Sequence, residues 1–231
     1  CQISKDGEIE KFLLQGVVYL TLTDPKKTHA ELKLTHNEFK GLVFKVHPEI
    51  DKPAWNKKKL LKGKKSGDPD SEGISAMTKL DALHYRYTSK SEEDLPFTVS
   101  VFNSKKAGKN VITMEVEFNQ AQDNLSFKEL ENITIGVNMS EDDVEVTTSD
   151  ANYEKDEANA MLLWHVPRLH ESESAVLSFA SKAITFDDIF PLDVRFSENY
   201  SVIDMRIAEE APKPMDALTG DEMSMKLVTT M

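Results

Sequence analysis

Apolar residues recur at every second position along most of this chain. Val18, Leu20 and Leu22 share one phase, as do Leu32 with Leu34, and Leu42 with Phe44 and Val46. The same spacing returns in Leu83, Tyr85 and Tyr87, in Phe97, Val99 and Val101, and in Ile112, Met114, Val116 and Phe118. It continues through Ile133, Ile135 and Val137, then Leu162, Trp164 and Val166, then Leu192, Val194 and Phe196. Ile203, Met205 and Ile207, and finally Met223, Met225 and Leu227, complete the series. Period two is the spacing of side chains on one face of a β-strand. Turn-forming clusters such as "TDPKK", "SKKAGKN", "NQAQDN", "VNMSEDD" and "EEAPKP" separate the runs. No stretch holds a helical apolar spacing for three turns, and "NLSFKELENI" offers a single helical turn ahead of its strand. The pattern predicts an all-β chain of antiparallel strands, too many for one small sandwich. Two β-sandwiches, or one elongated pair, accommodate them.

Polar stretches punctuate this pattern. Residues 62–77 are rich in Gly, Ser, Asp and Lys, and residues 139–160 in acids, although Val144 and Val146 still admit a short strand. "TSKSEEDLPF", from Thr88 to Phe97, is polar and stops at Pro96, which suits a crossing between two sandwiches.

Composition narrows the class. There is no apolar run of about 18 residues, the length a membrane-spanning helix needs. The N-terminal "CQISKDGEIE" is neither a secretory nor a transit signal, and without an initial Met it reads as a cut within a longer protein. Cys1 is the sole cysteine, so no internal disulfide can form and a reducing setting is expected. The four N-x-S/T triplets, at Asn124, Asn132, Asn138 and Asn199, are then read as chance occurrences in polar loops. The formal net charge of -12 argues against general nucleic-acid binding. That charge is segregated, because seven lysines and no acid lie between Lys52 and Lys65.

Catalytic signatures are missing. The sequence has no nucleophile elbow, phosphate-binding glycine loop or H-E-x-x-H. "HVPRLH" places His165 and His170 five apart around a proline, which does not suit a zinc site. Adjacent acids such as Asp142–Asp143 and Asp187–Asp188 would point to opposite faces of a strand and not converge. Neither a metal nor a cofactor is called for, and binding is the expected activity. Strand-rich modules bind extended peptides at a sheet edge, with pockets for alternate side chains. Trp164 alternates with Leu162 and Val166 and is assigned to the core. Trp55 follows Pro53 outside any alternation, and two readings stand for it: half-buried at a sandwich edge, or part of a binding surface.

A family resemblance adds to this reading. "LDALHYRY", "LPFTVSVF", "NVITMEVEF", "LENITIGVNM", "NAMLLWHVPRL" and "IFPLDVRFSE" follow one another in an order that resembles the mu-homology domain. That domain forms the C-terminal part of the medium subunits of clathrin adaptors and related coat proteins. "FKVHPEIDK" is similar to the corresponding segment of coatomer delta subunits. The resemblance implies an all-β, elongated fold of two antiparallel β-sandwich subdomains, the second inserted into the first. Subdomain A is expected at 1–90 and 197–231, subdomain B at 91–196, with the first strand of the fold cut short before Cys1.

The resemblance also implies partners. Adaptor mu subunits hold tyrosine-based signals with a Trp and an Arg on a late strand and a Lys on an early one. Here "EMSMKLVTTM" lacks the first two and "GVVYLTL" lacks the lysine, so that pocket is expected to be absent. Delta coatomer subunits instead imply tryptophan-based linear motifs in acidic, disordered segments of tethering factors or Arf GTPase-activating proteins. Other coatomer subunits, retrograde Golgi-to-ER traffic and a cytoplasmic place, peripherally on Golgi membranes and COPI vesicles, are implied with them. Under this reading Lys45, His47, Trp55, Lys57, Lys58 and Lys59 form or border the peptide site. A solvated basic loop and a contact with anionic lipid are the competing readings of the lysines. A clathrin-adaptor domain for tyrosine signals is the alternative function, with a secreted sandwich or an enzyme more remote.

Overall fold

The structure, a computed structural model, describes residues 1–21, 30–38, 40–64, 79–119, 125–139, 144–198, 201–208, 215–216 and 228–230. Most of the polar stretch at 62–77 and the late alternation of Met223, Met225 and Leu227 lie outside the described residues. The elements begin with β1 (Gln2–Ile3), β2 (Ile9–Thr21), β3 (Ala30–Thr35), β4 (Val43–Val46), helix α1 (Lys52–Lys58), β5 (Leu60–Lys62) and β6 (Lys79–Ser89). They continue with β7 (Phe97–Lys106), β8 (Lys109–Phe118), β9 (Glu129–Asn138), β10 (Glu145–Ser149), β11 (Asn152–Asp156) and β12 (Met161–His170). The last are β13 (Ser174–Ser181), β14 (Leu192–Ser197), β15 (Arg206–Ile207), β16 (Met215–Asp216) and β17 (Val228–Thr230). Pairing is antiparallel in both halves of the chain, as in β1 with β14, β12 with β9, β13 with β8, β4 with β6, and β7 with β8.

The chain divides into two compact units, 1–13 with 88–198, and 14–87 with 199–231. This differs from the expected division at the N-terminus, which puts residues 1–13 with the other subdomain. The reason is pairing: Gln2 and Ile3 lie opposite Asp193 and Leu192 of β14. Phe12 also stacks on Phe196 with ring centroids 6.4 Å apart.

The first unit is a sandwich. One sheet runs β11-β12-β9-β14-β1, and the other β10-β13-β8-β7. Its strands follow the predicted alternation. Ile112, Met114, Val116 and Phe118 of β8 and Leu162, Trp164 and Val166 of β12 point inward and are buried. Residues 125–128 carry no helix; Leu125 and Phe127 are buried ahead of β9, so tertiary packing holds this segment without a helical turn.

In the second unit, β6 lies between β2 and β4, and β17 pairs with β2. A further sheet sets β15, β16 and β5 against β3. The core gathers Val18 and Leu20 from β2, Leu32 and Leu34 from β3, Leu61 from β5 and Tyr85 from β6. Helix α1 stands where the periodicity predicts none. Asp51 caps it, its Oδ1 accepting from Ala54 N–H at 2.9 Å, and Pro53 sits in the first turn, where its missing N–H costs nothing. Lys59 ends it in a left-handed conformation, φ 53°, donating its N–H to Trp55 O at 2.8 Å.

Candidate functional site

All six residues expected at the peptide site fall within segment 45–59 of the second unit, and the fold supplies their surroundings. Among the described residues β4 is the end strand of its sheet. Its pairing sets Val43 opposite Arg86, and Lys45 opposite His84. These four side chains share the outward phase of the sheet, while Phe44 and Val46 pair with buried Tyr85 and Leu83.

After β4 the chain turns sharply. His47 N–H bonds Ala82 O at 3.0 Å and Ile50 N–H bonds His47 O at 3.0 Å. The ring of His47 is taken up locally, its Nδ1 accepting from Glu49 N–H at 3.3 Å. Helix α1 then presents one residue inward. Trp55 is 1% exposed. It meets Phe44 edge-on at 5.1 Å and stacks near His36 at 6.3 Å. Lys59 Nζ lies 5.5 Å from the Trp55 ring and 5.8 Å from Phe44, close enough for a cation–π contact. Lys52, Asn56, Lys57 and Lys58 occupy the solvent face. Lysines in the last turn also suit the negative end of the helix dipole. The crowding of lysine around this tryptophan thus reflects a short helix with a single buried position.

The six residues do not converge. Lys45 lies on the outer sheet face, Lys57, Lys58 and Lys59 line a different groove, and His47 lines neither. Trp55 is buried, so its ring lies beneath the surface instead of standing exposed on it.

A groove of about 600 Å³ runs over the outer face of β2, β6 and β4. Val17 and Tyr19 of β2 and Val43 of β4 give it apolar walls, and Val43 is 62% exposed. Lys45 and Arg86 add cationic groups, and His84 adds an imidazole. Lys79 Nζ sits 3.5 Å above the Tyr19 ring centroid. Beneath this surface, Tyr85 lies across Gly16: a Cβ at Gly16 would be 2.1 Å from Tyr85 Cζ, so only glycine allows the ring to pass. Burial pushes the pKa of the Tyr85 hydroxyl up to about 12, and the group has no hydrogen-bond partner among the described residues.

Sequence reasoning missed Val17, Tyr19, Val43, His84 and Arg86. A signal existed for the first two. In "GVVYLTLTD" the inward phase is Val18, Leu20 and Leu22, so Val17 and Tyr19 are apolar on the outward phase. The histidines of "HVPRLH" separate into different interactions: His165 with Thr134 at 3.1 Å, His170 with Glu129 at 3.3 Å. The late-strand region expected to lack a tyrosine-signal pocket lies outside the described residues over 221–227; β17 beyond it pairs with Val17–Tyr19.

Comparison with known proteins converges on one group. The adaptor complexes medium subunit family matches residues 1–209. The chain is 22% identical over 213 residues to coatomer subunit delta-1 of Oryza sativa, covering 91% of this chain and 39% of that protein. It is 24% identical over 204 residues to the probable coatomer subunit delta of Caenorhabditis elegans, covering 87% and 38%. The chain therefore spans well under half the length of these relatives. Among solved structures, the yeast delta-COP-I mu-homology domain superposes with a TM-score of 0.72 at 22% identity, over 98% of this chain and 89% of that one. The same yeast domain complexed with a Dsl1 WxWxV peptide gives 0.69 at 22% identity, over 98% and 90%. The all-β architecture is the mu-homology fold, and with the match spanning nearly its whole length the chain belongs to the adaptor complexes medium subunit family.

Proposed function

We propose that this chain is the recognition domain of a coatomer delta subunit and binds short tryptophan-containing motifs in acidic, disordered segments. The observation that carries this reading is the outer-face groove of β2, β6 and β4, which pairs apolar walls with cationic groups in a protein of net charge -12. An indole would lie against Val17, Tyr19 and Val43. Acidic flanks would meet Lys45 and Arg86, and an extended peptide could add to β4, the end strand of the sheet among the described residues. The likeness to a yeast domain bound to a WxWxV peptide supports the class of ligand.

Magnitudes fit weak, reversible binding. Burying an aromatic ring of roughly 200 Å² at ~25 cal/mol per Å² contributes about 5 kcal/mol. A micromolar Kd corresponds to about 8 kcal/mol. One or two aromatics with a few strand hydrogen bonds reach that level after the ordering cost of a disordered segment. The domain then acts by binding and not by catalysis. Its partners are tethering factors or Arf GTPase-activating proteins together with other coatomer subunits. Its place is the cytoplasmic face of Golgi membranes and COPI vesicles, in retrograde traffic to the ER.

Calorimetric titration with an acidic peptide bearing two tryptophans tests the reading, with a tyrosine-signal peptide as comparison. The tryptophan peptide is expected to bind at micromolar Kd, and Val43→Glu to weaken it at least tenfold. Heat from the tyrosine peptide alone would overturn the function. Unaltered tryptophan-peptide binding by Val43→Glu and by Lys45→Glu/Arg86→Glu would overturn the groove as its location.

A further inference from the structure

In the first unit β7 closes one side of its sheet, and among the described residues no strand pairs with its outer edge. The hairpin to β8 fixes which backbone groups face out there. Lys106 pairs with Lys109 across a two-residue turn, Ala107 and Gly108, whose φ angles are both positive, 51° and 77°. In such a hairpin the pair flanking the turn exchanges hydrogen bonds, and every second pair along the ladder does the same. The bond from Asn119 N–H to Pro96 O, at 2.8 Å, carries that phase to the far end of the strand. The even-numbered residues of β7 therefore bond to β8. Val99, Val101 and Asn103 turn their N–H and C=O groups to the open edge.

Side chains leave that edge accessible. From Phe97 to Ser104 the strand carries no charge. Phe102 is 58% exposed, and Val99, Ser100 and Val101 are half-buried. An uncharged edge is a template for a further strand, and natural sheets often blunt one with a lysine along it. Here Lys105 and Lys106 stand at the turn end only, so the middle stays open.

The two ends of the strand select its partner. The 3₁₀ turn before β7 is Glu92, Glu93 and Asp94, and the opposite end carries Lys105 and Lys106. Glu92, Glu93 and both lysines are exposed. Neither lysine forms an ion pair among the described residues, whereas nearby Lys109 is paired with Glu145 at 2.6 Å. A strand acidic at one end and basic at the other complements itself when a second copy runs antiparallel to it. A parallel copy would set like charges together.

We infer that β7 pairs antiparallel with β7 of a second copy of this chain, about a two-fold axis at Ser100. In that register Val99 and Val101 exchange hydrogen bonds across the axis, and Phe102 lies opposite Thr98 of the partner subunit. Each lysine pair then reaches the partner's acidic turn. The two four-stranded sheets become one continuous sheet, and the symmetry uses up the edge, so assembly stops at the dimer. About eight residues a side fall short of the roughly 20–30 of a standard interface, so the dimer is weak, with a Kd of about 10–100 µM. This inference is independent of the peptide reading, which concerns β2, β6 and β4 in the other unit.

Sedimentation velocity of the 231-residue chain, at concentrations spanning that Kd, tests it. A shift from monomer to dimer is expected, weakening as salt rises. Val101→Pro removes an outward N–H and spares the ladder to β8, so it should weaken the dimer at least tenfold while the chain still melts cooperatively. Charge reversal supplies a second test on exposed side chains, which decides alone if the proline variant misfolds. Lys105→Glu/Lys106→Glu and Glu92→Lys/Glu93→Lys should each be monomeric by themselves, because like charges then meet at both ends. Mixed in equal amounts, they should form a heterodimer, since opposite charges meet again. A monomer at every concentration would overturn the inference, as would open-ended growth into larger species. A folded Val101→Pro chain that dimerises like the wild type, or reversed variants that fail to associate when mixed, would overturn it too.

Discussion

Trp164 in the first unit and Trp55 in the second are both buried, at 0% and 1% exposure, but they reach that state by different routes. Trp164 stands in β12 with Leu162 and Val166 on the same inward phase, and it pairs with Ile135 of β9. Trp55 is the only buried residue of a seven-residue helix whose other positions are half-buried or exposed. In a strand, inward positions repeat, so a core residue is announced by its neighbours two places away. A two-turn helix has room for a single inward residue, and nothing in its own sequence marks the face. Its burial is set by Phe44 and His36, which arrive from other parts of the chain.

The largest test of this comparison is truncation of each ring. Trp55→Ala and Trp164→Ala should each destabilise by about 3–5 kcal/mol, the range for emptying a large aromatic site. Denaturant unfolding followed by fluorescence of the remaining tryptophan reports each loss. A small effect at Trp55 would make α1 a surface appendage and restore its ring as a candidate contact.

Next in size is a pH effect confined to the first unit. Glu198 is 2% exposed, and neither carboxylate oxygen has a hydrogen-bond partner among the described residues. Burial, with the nearby charges of Glu131 and Glu129, raises its pKa from 4.5 to about 7. The folded protein therefore keeps a proton that the unfolded chain releases earlier. The stabilising contribution is complete below the unfolded value of 4.5 and is lost as pH rises through about 7. Glu198→Gln, fixed in the neutral form, should be more stable than wild type above pH 7 by up to about 3 kcal/mol. The advantage should vanish at low pH. Melting curves across that range check it, and a constant difference would show that the carboxyl does not titrate there.

Smaller changes sharpen the contrast between strand and helix. Asp51→Ala removes the acceptor for Ala54 N–H and should cost about 1 kcal/mol. Trp164→Phe should cost less than Trp164→Ala, because Trp164 Nε1 has no hydrogen-bond partner among the described residues to lose. Equilibrium unfolding of the two variants side by side measures both. A cost at Asp51 near zero would mean that packing of Trp55 alone holds the helix.

Legibility follows the same division. The alternation in β2, β8, β9 and β12 is readable because each strand repeats its inward phase several times. α1 is not, since Pro48 and Pro53 read as breaks although Pro53 sits in the first turn, which tolerates it. The family resemblance puts the N-terminal 13 residues in subdomain A, whereas β1 goes with its backbone partner β14. For the site, the lysine run is visible as charge, but its partition between two surfaces is not. Lys45 leaves the strand outward beside Arg86 and His84, while Lys57–Lys59 leave the helix toward Lys33. The groove walls Val17 and Tyr19 stand in plain view on the outward phase, yet only the neighbouring strands reveal that they form a wall.

By itself, the sequence determined the strand class, the inward faces and the segregation of charge, because those are properties of neighbours along the chain. Tertiary structure alone decided which cations share a groove, that Trp55 is buried, and where the first strands belong. Those outcomes depend on residues far apart in sequence meeting across a sheet, and no local pattern encodes such meetings.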